Sequence, residues 1–141
     1  MAEPPRFYFE DVVLHGVLET PALTLTEAHV GLYTGLSHDL PVETGLVPEL
    51  LALCLTTGLG WRVSQPPLAV LAFMGFEWEV LQPVRVGDTI HSRSRTALKR
   101  SMREGGVIVE EREVINQRGE VVNQGRFTFL VAKRPTEGVP P

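Results

Sequence analysis

From Leu68 onward the apolar residues fall on every second position: Leu68, Val70, Ala72, Met74, Phe76, Trp78 and Val80. Alternation of this kind predicts a β-strand, because successive side chains point to opposite faces. The opposite parity turns polar only in its second half, at Glu77 and Glu79. The first half of the strand therefore reads as buried on both faces and the second half on one. Pro83 and Gly87 punctuate a turn over 82–88. Alternation resumes over 89–99, with Ile90, Ser92, Ser94, Thr96 and Leu98 on one face and His91, Arg93, Arg95 and Lys99 on the other. A turn at 103–106 leads into a strand over 107–115. Asn116-Gln117-Arg118-Gly119 then closes a hairpin, and the last strand runs over 120–133 with Val121, Phe127, Phe129 and Val131 on one parity. Consecutive long strands joined by tight turns make an antiparallel meander.

Ahead of the meander the period changes. The stretch LVPELLALCLTTGLGW, 46–61, is apolar nearly all round. A helix with no polar side has none to give to water, so it is expected to be buried on most sides. Pro48 suits its first turn, and Gly58 or Gly60 is placed to stop it, giving about three turns. A sheet this long must curl over something, and this helix is the element of the right size. Earlier still, Thr26-Glu27-Ala28 offers a hydroxyl N-cap and a first-turn acid for a short helix reaching about Gly35. The stretch over 18–25 reads as an edge strand interrupted by Pro21, and His15 before Gly16 reads as a turn residue. The fold class is α+β: a curved antiparallel sheet wrapped around one central helix, the hotdog architecture.

The length of 141 residues suits one domain over 1–141, with short Pro-rich tails at about 1–6 and 134–141. A net charge of −4 gives no basic excess to neutralise phosphates, so neither nucleic acid nor a membrane surface is an expected partner. No secretory leader and no run of membrane-spanning length appear, which points to a cytoplasmic protein. Cys54 is the single cysteine and falls in the apolar helix, where it reads as a small buried hydrophobe. No His, Cys or acidic side chains recur at metal-ligand spacing, and no phosphate-binding glycine loop is present, so no metal or cofactor is expected.

Candidate chemistry gathers just before the central helix. The loop LSHDLPVETG, 36–45, places His38, Asp39 and Glu43 within six positions. Two carboxylates in one loop can raise each other's pKa toward neutrality, and an imidazole titrates close to it. Asp39 is the leading acid–base candidate, with Glu43 and His38 as alternatives for the second role. Glu49 reads either as compensation of the helix dipole or as a carboxylate at the mouth of a channel, and its backbone N–H as a candidate oxyanion donor. His91 sits on a charged strand face and reads as surface.

The stretch FEDVVLHGVLETPALTLTEAHVGLYTGLSHD resembles the opening of the MaoC-like dehydratases, which include the (R)-specific enoyl-CoA hydratases. LQPVRVGDTI and VINQRGEVVNQG resemble later strands and turns of that family, so the likeness covers roughly 7–133. It implies a hotdog fold, a homodimer or higher oligomer, and acyl-CoA or another acyl thioester as substrate. The family motif is D-x-N-P-x-H followed by an H-G pair, its Asp and His activating water for addition to a 2-enoyl thioester. Here Asp39 matches the Asp, the Asn is absent, Glu43 falls where the His would be, and Pro48-Glu49 replaces the H-G pair. The segment between motif and helix is also shorter than the family's. The resemblance thus implies a hydratase or dehydratase, a lyase whose usual dyad is not intact. The alternatives are a hotdog thioesterase using Glu49 or Asp39, and a non-catalytic acyl-CoA-binding subunit.

Overall fold

The computed structural model describes residues 4–136, so the expected tails lie partly outside the described residues. Six strands carry the fold: β1 (Val17–Glu19), β2 (Leu23–Thr24), β3 (Val70–Val80), β4 (Thr89–Met102), β5 (Gly105–Ile115) and β6 (Val121–Val131). Two helices lie between the second and third, α1 (Glu27–Ser37) and α2 (Leu51–Leu59). The sheet is antiparallel in the order β1-β4-β5-β6-β3, with β2 also on β4. The expected meander is present as β4, β5 and β6, and β3 returns beside β6.

One face of this curved sheet holds α2. Leu51 and Ala52 pack with Ile90, Val114 and Val122, and Leu25, Val47 and Val84 close the cluster. A second cluster, Phe9, Val12, Ile108 and Val131, fills the far end of the same face. Between them the chain has the expected α+β arrangement, a sheet curled around a helix.

The start of α1 fits its sequence signal and its end does not, whereas α2 starts after Pro48 and ends at Gly60, one of its two expected stops. The Thr26 side chain accepts the His29 N–H at 3.4 Å, and His29 Nδ1 accepts the Thr26 N–H at 3.0 Å, so a histidine completes the capping box. α1 runs to Ser37, past Gly35. His38 terminates it in the left-handed conformation, its N–H bonded to Thr34 O at 2.8 Å. α2 is shorter than expected. Pro48 and Glu49 precede it, and Gly60 caps it in a right-handed rather than left-handed conformation, so the chain passes on into a 3-10 turn over Gly60–Arg62.

Three packing expectations are corrected. α2 is covered on its sheet side only: Leu50, Cys54 and Trp61 form an open stripe, so Cys54 is exposed rather than buried. β3 lies at the sheet edge, and Val70, Leu71, Phe73, Met74 and Phe76 are exposed in the single chain. A period of two reports which face a residue occupies, but not whether the next strand exists. Lys99 does not follow the charged parity of β4. A bulge between Thr96 and Leu98 shifts the register and turns Lys99 inward, over the Phe9 ring, to donate to Val12 O at 2.7 Å.

Candidate functional site

Between the two core clusters the sheet face is not apolar. The even positions of β5 run Ile108, Glu110, Arg112, Val114, and the outer two are buried in separate clusters. Glu110 and Arg112 are therefore carried onto the helix side of the sheet by strand alternation itself. Ser94 stands directly opposite Arg112 and Thr96 opposite Glu110 on β4. Phe127 stands opposite Glu110 on β6.

This polar strip forms one wall of a cleft of about 430 Å³. The C-terminal end of α2 and the 3-10 turn after it supply another wall through Thr56, Thr57 and Trp61. Val12, Val13 and Leu18, from the chain ahead of α1, supply apolar surface. Thr56 is almost wholly buried and its hydroxyl is held by Leu53 O at 2.8 Å.

Glu110 and Arg112 are ion-paired within the cleft. Glu110 Oε1 accepts from Arg112 Nε at 3.1 Å and Nη2 at 2.7 Å. Their side chains are only 16% and 13% exposed. The guanidinium also lies over the Phe127 ring, 4.1 Å from its centroid. Partly desolvated charges of this kind need their hydrogen bonds met. The sequence held one signal for them: two charged residues on the parity that also carries Ile108 and Val114. Within the charge run 110–113 that signal reads as surface.

The residues singled out before α2 are placed elsewhere. His38, Asp39, Glu43 and Glu49 are all exposed, and none lines the cleft. His38 serves as the left-handed cap of α1. Asp39 is the best fixed of the four. Its Oδ2 accepts the Tyr33 hydroxyl at 3.2 Å, and its N–H donates to Ser37 Oγ at 3.1 Å. Burial and the adjacent Asp39 carboxylate raise the Tyr33 phenol above its usual pKa, so it stays a neutral donor. His91 lies on the outer face of β4, and His15 adopts a left-handed turn conformation beside Arg95. Among the described residues no group of three or more His, Cys, Asp or Glu side chains could hold a metal ion. Among them, too, no helix is long and apolar enough to cross a membrane.

No protein-family model matches the sequence, and no curated protein matches it either. Solved structures do match. A monoamine oxidase regulatory protein from Archaeoglobus is similar over 92% of this chain and 97% of its own, with 26% identity and a TM-score of 0.83. The MaoC-like dehydratase of Rhodospirillum rubrum is similar over 92% of this chain and 99% of its own, at 18% identity and a TM-score of 0.76. The (R)-hydratase PhaJ1 of Pseudomonas aeruginosa has the same TM-score over 96% of this chain and 95% of its own, at 14% identity. The chain has a hotdog fold, similar in structure to a MaoC-like dehydratase and an (R)-hydratase. In this hotdog protein the cleft lies on the helix side of the sheet, bordered by α2.

Proposed function

We propose that this hotdog protein binds an acyl thioester, such as acyl-CoA, with the acyl chain in the cleft between α2 and the sheet. The reaction that fits is addition or removal of water at a 2-enoyl or 3-hydroxyacyl thioester. One observation supports this above the others: an open cleft with apolar surface from Val12, Val13 and Leu18 beside its polar sheet wall lies between α2 and the sheet, in a fold shared with a dehydratase and an (R)-hydratase. Hydration needs a base for water, a proton for the α-carbon and donors for the enolate oxygen. Asp39, held by Tyr33, is the candidate base, with Glu43 or His38 as its second group and Glu49 as a rival acid.

The working unit is a homodimer. β3 offers an unpaired edge with exposed apolar side chains, and α2 offers the stripe Leu50, Cys54 and Trp61. Leu36, Leu40 and Val42 are also exposed, on either side of Asp39. Edges and apolar patches of this kind are ordinarily covered. A second copy over the 36–43 segment would cover Asp39 together with these apolar side chains.

A second reading has its own support. All four candidates lie outside the cleft in the single chain, and the loop lacks the family's Asn and His. That favours a non-catalytic acyl-thioester-binding subunit. Crotonyl-CoA with purified protein separates the cases. Loss of enoyl absorbance without free thiol supports hydration, and thiol release supports a thioesterase. Binding with neither change supports the non-catalytic subunit, and no binding overturns the proposal. If turnover is seen, Asp39→Asn and Glu49→Gln identify the acid that matters.

A further inference from the structure

The cleft's sheet wall is built for more than a plain alkyl chain. Both bonds within the Glu110–Arg112 pair converge on one carboxylate oxygen, Oε1. Among the described residues no hydrogen bond is made by Glu110 Oε2 or by Arg112 Nη1. Thr96 and Ser94 stand directly opposite the two charged residues, adding a hydroxyl beside each. All four residues line the cleft. The residues of this wall thus carry an acceptor and a donor without a hydrogen-bond partner among the described residues, together with the Thr96 hydroxyl and a Ser94 hydroxyl that donates to Leu18 O at 3.5 Å.

An alkyl group laid against this wall would strip water from the ion pair and return nothing. A group that both donates and accepts would replace that water. The pair carries no net charge, and an incoming carboxylate would face the carboxylate of Glu110. A neutral hydroxyl meets neither penalty. We propose that the cleft selects acyl thioesters whose chain carries a hydroxyl beyond the reacting carbons, over unsubstituted chains of equal length. Glu110 and Arg112 are then specificity-determining residues that hold that hydroxyl. This rests on the acyl-thioester reading and narrows its substrate class.

The test compares butyryl-CoA with 4-hydroxybutyryl-CoA by isothermal titration of the native protein, with succinyl-CoA as the charged control. One hydrogen bond to a charged group is ordinarily worth about tenfold in affinity. 4-Hydroxybutyryl-CoA is expected to bind roughly tenfold tighter than butyryl-CoA and tighter than succinyl-CoA. Butyryl-CoA binding equally or more tightly overturns the proposal and leaves the acyl-thioester reading standing. Tighter binding of succinyl-CoA overturns the neutral-hydroxyl assignment in the same way. Failure of all three to bind sinks both. Replacing both members together, Glu110→Leu with Arg112→Leu, avoids an orphaned charge and is expected to reverse the preference. The native ratio decides the matter even if that double variant does not fold.

Discussion

Trp78 and Gly125 face each other across β3 and β6, and the indole occupies the place where a side chain at 125 would stand. A Cβ on Gly125 would lie 2.6 Å from Trp78 Cε3 and closer still to the Glu77 carbonyl oxygen. The indole is held in turn by Nε1 donating to Asn123 Oδ1 at 3.0 Å. Gly125→Ala must push either the ring or the backbone of β3 aside. The expected cost is about 1–3 kcal/mol, as for other overpacked sites. Urea unfolding checks this, and an unchanged midpoint would show that β3 does not pack here as described.

A second prediction concerns pH. Asp88 is buried, and burial alone would raise its pKa. The Arg85 N–H at 2.9 Å, Gln117 Nε2 at 2.8 Å and the nearby Arg118 guanidinium outweigh that and lower it. A carboxyl lowered by folding stabilises the fold above its unfolded pKa, and that stabilisation fades as pH falls through the folded pKa. Asp88→Asn is expected to cost about 1.5–3 kcal/mol at neutral pH. The gap between the two proteins should narrow below about pH 4. A gap of constant size from pH 7 to pH 3 would contradict it.

The exposed edge of β3 yields a third. Sedimentation should find the native protein dimeric, and Met74→Lys should shift it to monomer, since a lysine on an edge strand opposes pairing. A monomeric native protein would remove the assembly proposed above.

Much of this fold was legible from alternation alone. The faces of β4 as far as Thr96, and the hairpin at 116–119, follow from which positions are apolar and where Gly119 falls. Sheet order was not legible, so the first half of β3 read as buried on both faces although the strand is an edge. The bulge after Thr96 was also hidden, because nothing in Ala97 or Leu98 announces an extra residue. α2 gave no clue to its open side, since Leu50 and Cys54 are as apolar as the buried Leu51 and Leu53. The cleft had a signal in Glu110 and Arg112, both off the polar parity of β5. It was masked by the charges at 111 and 113.

The most direct measurement puts bulk into the cleft. Ser94 lies on its sheet wall, so Ser94→Phe fills space beside Arg112. Isothermal titration of crotonyl-CoA into the native protein and into this variant, with folding checked by circular dichroism, is the comparison. Binding by the native protein and its loss by at least tenfold in a folded variant are expected if the acyl chain lies between α2 and the sheet. Equal binding by both proteins would place the acyl chain elsewhere and contradict the assignment.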